Sequence, residues 1–177
     1  MYIWVGIDVD EQLTEVRNQA LQIDRSLQFQ NSCFTLPLHI SLKMSFHVDN
    51  TVADEVLSTI EQYYRSIEPF EIPVKAIEDE HVIVWIRMQE NRRLNQIHDD
   101  LNRILGERFG VGLHAYDQDY KFHTTLFMDH DPYRISSAYQ KIRDVEIPSV
   151  LRANRFVIGI SQSGALGTYS VIREVVK

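Results

Sequence analysis

Cysteine is nearly absent: Cys33 stands alone among 177 residues. With no second thiol there is no internal disulfide and no cysteine-rich metal site, and the expected setting is a reducing, cytoplasmic one. Basic excess is absent too. Eighteen Lys and Arg against 25 Asp and Glu leave a formal net charge of −7, which argues against an extended nucleic-acid surface but still allows a small anionic ligand in a local site. Long apolar runs are missing as well. The first stretch, Tyr2 to Ile7, meets Asp8 at once and has no basic flank, so it reads as a strand rather than a signal peptide or membrane span. No tract is of low complexity, and 44% hydrophobic with 24% charged residues is ordinary for a folded globular chain. The length fits one domain, residues 1–177, built as one body or as two fused lobes.

What is present is a pattern that runs twice. Tyr2 to Val9 reads as a strand, with Asp10 as the cap of a helix over 11–27. Residues 28–36 show neither period and read as a loop, followed by a strand over 37–46. A helix carrying Val52, Val56, Leu57, Ile60 and Tyr64 comes next, then a strand over 70–77 that Pro73 assigns to an edge, a turn at 78–80 and a strand over 81–88. The second copy has a helix marked by Leu94, Ile97, Leu101 and Leu105, an irregular stretch over 113–119, a strand over 120–128 and a helix over 133–144. Strands near 145–150, 154–161 and 168–176 close the chain. The expected fold class is α+β (mixed α/β): two pseudo-symmetric lobes with mixed or antiparallel sheets, flanking helices and a central cleft.

Each copy holds a similar string. Leu38-His39-Ile40-Ser41-Leu42-Lys43-Met44 and Phe122-His123-Thr124-Thr125-Leu126-Phe127-Met128 align with their histidines 84 positions apart. In a strand, residues i and i+2 point the same way, about 6.5–7 Å apart. Alternation therefore puts His39, Ser41 and Lys43 on one face of the first strand, and Lys121, His123, Thr125 and Phe127 on one face of the second. Two imidazoles and two hydroxyls converging in a cleft suit a phosphodiester. An imidazole with a pKa of about 6.5 serves as base or as acid near neutral pH. One takes a proton from the attacking water and the other protonates the leaving oxygen. Ser41 and Thr125 donate to the non-bridging oxygens.

The paired motifs, their spacing and the ending Phe156-Val157-Ile158-Gly159-Ile160 to Gly167-Thr168-Tyr169-Ser170-Val171-Ile172 resemble the two-histidine (2H) phosphoesterases, the LigT-like or 2′-5′ RNA ligase family. The resemblance covers nearly the whole chain. It implies a duplicated two-lobed fold and metal-independent hydrolysis of 2′,3′-cyclic phosphates or 2′-5′ linkages in small nucleotides or RNA ends. His39 and His123 would be acid and base, with no cofactor and no bound metal. Two positions depart from the family pattern: Thr124 fills a slot that is usually apolar, and Met128 stands where bacterial members often carry Arg. Lys43 and Lys121 are the candidate replacements for that cation. Phe34, Tyr116, Tyr120 and Phe127 are candidates to stack a base, each weighed against a packing role. A non-catalytic binder of RNA ends and a 2′-5′ ligase are the alternatives. Trp4 and Trp85 read as core, Cys33 as an inert thiol, and the expected state is a monomer free of membranes.

Overall fold

A computed structural model describes residues 1–29 and 32–177; Gln30 and Asn31, within the expected loop 28–36, lie outside the described residues. In chain order the elements are β1 (Tyr2–Asp8), α1 (Thr14–Leu27), β2 (His39–His47), α2 (Ala53–Ser66), β3 (Phe70–Glu80), β4 (Ile83–Met88), α3 (Arg92–Phe109), β5 (His123–Met128), α4 (Pro132–Ile142), β6 (Val150–Ala153), β7 (Arg155–Ser161) and β8 (Ser170–Val176). The strands form two four-stranded sheets, β2-β1-β7-β8 and β5-β4-β3-β6. Among the described residues all strand pairings are antiparallel, which resolves the expectation of mixed or antiparallel sheets.

The lobes are not the two halves of the chain. After α2 the chain leaves the first sheet, builds the whole second sheet from β3 to β6, and returns with β7 and β8 to complete the first. Each sheet thus has a β-α-β(His) unit at one side and two further strands at the other. Alternating apolar residues on the strands face the helices. Val16, Ala20 and Ile23 of α1, and Leu94, Ile97, Leu101 and Leu105 of α3, supply the helical stripes. Buried apolar side chains from both sheets join in one continuous cluster. It is closed where α1 packs on α4 and α3 packs on β2.

Several local expectations are corrected. Asp10 does not cap α1; a short 3₁₀ turn, Glu11–Leu13, precedes that helix, and Asp10 Oδ1 instead accepts from the Leu38 amide at 2.8 Å and from Arg17. The 78–80 turn is strand, since β3 continues to Glu80, and the chain reverses at His81, which takes the left-handed φ of 52°. β3 is an interior strand, yet Pro73 sits where its partners change: β6 pairs as far as Pro73 and β4 pairs from Val74 onward. A residue with no N–H is tolerated at such a hand-over. Residues 145–149 are not strand, and Pro148 among them has no amide to give to a ladder.

Candidate functional site

The registers of β1 with β2 and of β4 with β5 build the site. Asp8 lies opposite His39 and Gly6 opposite Ser41, while Arg87 lies opposite His123 and Trp85 opposite Thr125. Residues directly opposite in an antiparallel pair share a face, so each histidine and its hydroxyl look out together. Immediately after the hydroxyl both strands slip. Pairing resumes at Val5 with Lys43 and at Val84 with Phe127, leaving Leu42 and Leu126 as the extra residues of two equivalent β-bulges.

The bulges overturn the simple alternation beyond Ser41 and Thr125. Phe127 does not face the cleft: it is fully buried, 5.4 Å from the Phe29 ring and 6.2 Å from Phe34. Lys43 is its counterpart. Although it borders the cleft cavity, its side chain is 1% exposed and its ammonium is turned inward, 2.9 Å from Asp117 and bonded to Asn102 of α3. It is a buried strut rather than a free cation. Met44 and Met128, the methionines at the same place in both strings, both come round to the cavity wall.

The two imidazoles are anchored alike. His39 Nδ1 lies 2.7 Å from the Pro37 carbonyl and His123 Nδ1 lies 2.6 Å from the Lys121 carbonyl. A carbonyl only accepts, so Nδ1 carries the hydrogen in both rings and Nε2 is left as the exchangeable atom. Burial pushes the His39 imidazole down to about 4; nearby His123 pushes the same way, while the Pro37 carbonyl and Asp10 oppose. Burial also lowers His123, with the Lys121 carbonyl and Glu80 opposing and the Arg87 charge adding to the fall. Both rings are therefore neutral at pH 7 in the free protein.

Trp4 and Trp85 are buried, but at the floor of this site. The Trp4 indole lies edge-on to His39 at 4.2 Å, and its Nε1–H donates to Ser41 Oγ at 3.0 Å. Ser41 Oγ thus accepts from the indole and keeps its own O–H as a donor, with the Tyr120 hydroxyl as its neighbour. Glycine under that indole is a steric need: a Cβ at Gly6 or Gly159 would stand 2.6 or 2.8 Å from Trp4 ring atoms. The Trp85 ring lies 4.4 Å from His123. The departure at Thr124 has a structural use, because its buried hydroxyl donates to the His39 carbonyl at 3.1 Å and ties β5 to β2 across the two sheets. Asp10, through Leu38, fixes the entry to β2.

A cavity of about 220 Å³ opens here, lined among others by His39, Ser41, Thr125, Met44, Met128 and Tyr169. The Tyr169 hydroxyl is buried and meets no hydrogen-bond partner among the described residues. Cys33 also reaches this wall, and burial pushes its thiol up to about 12, so it is no thiolate at neutral pH. A larger cavity of about 540 Å³ lies beside the site, with Arg87, Tyr120, Lys121 and Gln118 in its wall. Lys121 is exposed, with its ammonium 3.8 Å from Glu80. Tyr120 stacks on His98 at 4.5 Å and its hydroxyl reaches Ser41. Phe34 packs edge-on against Phe127 beneath Arg17, and Tyr116 is 68% exposed against His114. Of the four expected base-stacking residues, none therefore presents a free face to the smaller cavity. Arg87, Trp4 and Tyr169 were not among the expected site residues. Arg87 and Trp4 share the strand parity of the site, and Gly6 within a strand was the signal for Trp4. Among the described residues no cluster of His, Cys, Asp or Glu could hold a metal ion, and no helix is long and apolar enough to cross a membrane.

A sequence profile of the 2′-5′ RNA ligase superfamily matches residues 5–165. The chain belongs to the 2′-5′ RNA ligase superfamily. Membership places it among phosphoesterase- and ligase-type enzymes. No curated protein sequence matches it. Solved structures of the same fold include TT0787 of Thermus thermophilus, with a TM-score of 0.68 at 16% identity over 99% of this chain and 97% of that one. E. coli LigT complexed with 3′-AMP gives 0.61 at 16% identity, covering 98% and 96%. At this identity the likeness to these structures is one of fold.

Proposed function

We propose that the chain is a metal-independent phosphodiesterase that opens 2′,3′-cyclic phosphates or 2′-5′ linkages of small nucleotides or RNA ends, as one domain with His39 and His123 as the proton-transfer pair. The observation that carries this is the matched anchoring: two imidazoles near enough to feel each other's charge, each with Nδ1–H fixed on a carbonyl and, among the described residues, Nε2 unengaged. One Nε2 removes a proton from water as its oxygen attacks phosphorus. The other, protonated, delivers its hydrogen to the departing ribose oxygen, so the ring strain of the cyclic diester is released into a phosphomonoester. The hydroxyls of Ser41 and Thr125 donate to the non-bridging oxygens, and Trp4 holds Ser41 in the donating sense. The acid must be charged, whereas both rings are neutral in the free site. A phosphodiester anion between them favours the imidazolium and raises the pKa on binding. LigT was solved with 3′-AMP, the kind of product such opening would leave.

The test follows 2′,3′-cyclic AMP by ³¹P NMR in ¹⁸O-labelled water with EDTA present. Hydrolysis gives a monophosphate carrying one ¹⁸O on phosphorus. Binding without turnover would identify a nucleotide binder, and label-free joining to an added RNA hydroxyl would identify a ligase.

A further inference from the structure

The cleft needs a cation for its diester, and the positions where one was expected do not supply it: Met128 is apolar and Lys43 is consumed by Asp117. Around the two histidine strands, Arg134 pairs with Asp129 and Arg155 with Asp8 and Glu174, while Lys121 is an exposed side chain whose ammonium stands 3.8 Å from Glu80. Arg87 is the basic side chain here that has no carboxylate partner among the described residues. Its place is defined by packing instead. It stands directly opposite His123 in the β4–β5 pair, with its guanidinium 5.7 Å from the centroid of the Trp85 ring, and that ring is 4.4 Å from His123. Arg87 also lines the larger cavity beside the site, so a ligand can reach it from solvent.

We propose that Arg87 holds a non-bridging oxygen of the phosphodiester at His123, as the cation of this site. This rests on the reading of the cleft as a phosphodiester site. A guanidinium on an indole face is preorganised in angle and keeps its fork of N–H donors free for an oxyanion. The arrangement also couples to the proton transfer. By itself the Arg87 charge opposes protonation of His123. A diester anion lying between them removes that opposition, so the imidazolium forms where and when a substrate is present. Arg87 acts directly on the phosphate and, through it, positions the charge on His123.

The experiment compares wild type with Arg87→Met and Arg87→Lys by three readouts: 2′,3′-cyclic AMP turnover, 3′-AMP binding by calorimetry, and NMR titration of His123. Arg87→Met is expected to lower kcat/KM and 3′-AMP affinity by about 10- to 100-fold, the worth of one charge-assisted hydrogen bond. In the free protein it should raise the His123 titration midpoint and leave the fold intact by circular dichroism. Arg87→Lys should recover part of the affinity, having charge without the fork. Wild-type kcat/KM and affinity in Arg87→Met would overturn the proposal, and so would a loss of both that Arg87→Lys fails to relieve with His123 titrating unchanged. A wild type that binds 3′-AMP but turns nothing over would count against the hydrolase reading alone, since the affinity comparison still decides Arg87.

Discussion

Replacing Lys43 by Met tests whether the bulge has turned that side chain from the cleft into the protein. The ammonium and the Asp117 carboxylate are 1% and 0% exposed and 2.9 Å apart. Removing one partner of a buried pair costs about 3–5 kcal/mol, because the other charge stays buried without compensation. Asp117 keeps one bond here, from the His114 amide at 2.7 Å, which places the expected cost at the lower end, about 3 kcal/mol. For a chain of this length that corresponds to a fall in Tm of roughly 6–12 °C. Urea denaturation should show the loss as a lower midpoint at unchanged slope. Adding Asp117→Asn should restore part of it, with a coupling energy on the order of 1–3 kcal/mol. The carboxyl of Asp117 titrates below its ordinary range: burial pushes it up, but the His114 amide and Lys43 more than offset this. Its contribution is therefore present above about pH 4 and is lost as pH falls through the depressed folded value; that acid-side loss should shrink in Lys43→Met. At a temperature where the variant stays folded, KM for 2′,3′-cyclic AMP should match wild type. Stability within about 1 kcal/mol of wild type, together with a KM raised tenfold or more, would refute the reasoning and return Lys43 to the phosphate.

Gly159→Ala would set a methyl 2.8 Å from the Trp4 ring and 3.3 Å from the Ser170 carbonyl; the expected result is a loss of about 1–3 kcal/mol and a lower kcat as His39 and Ser41 move with the indole, whereas unchanged kcat would show that Trp4 positions neither. Thr124→Val keeps the volume but removes the hydroxyl's bond to the His39 carbonyl, and should cost about 1 kcal/mol in urea denaturation. For the pH dependence the sign is set by two lowered imidazoles. With His39 near 4 and His123 also below its ordinary value, kcat/KM should peak on the acid side of about 6.5, and an optimum above 7 would contradict the assignment. The folded pKa of His39 near 4 lies below the unfolded one, so the unfolded chain binds more protons between them. Stability should accordingly drop as pH falls from about 6.5, and His39→Asn should flatten that slope.

The two histidines and their hydroxyls were legible because a strand alternates strictly, and the strands do so from His39 to Ser41 and from His123 to Thr125. Strict alternation misplaces Lys43 and Phe127 because a bulge follows each hydroxyl. Gly6 stands opposite the first slip, but neither bulged strand carries a glycine of its own there, and a slip of one residue sends every later side chain to the other face. The trace it did leave was the methionine at the end of both strings. Helices α1, α2 and α3 could be read from their apolar stripes. The exchange that puts β3 in the second sheet and β7 in the first could not, since alternation says which face is buried but not which strand is the neighbour. The role of Arg87 is hidden in the sequence for the same reason. Its importance comes from standing opposite His123, a relation between β4 and β5 that a separation of 36 positions along the chain conceals.

The central claim is that two imidazoles transfer the protons of a phosphodiester cleavage, and its most direct test is the rate of 2′,3′-cyclic AMP hydrolysis by His39→Ala, His123→Ala and the double variant with EDTA present. Loss of one acid or base costs about 10²–10⁴ in rate, and groups that act as a unit are not additive. The expected result is a fall of that size in each single variant, with the double variant little worse than either. Wild-type rates that survive both substitutions, or that disappear with the chelator, would contradict it.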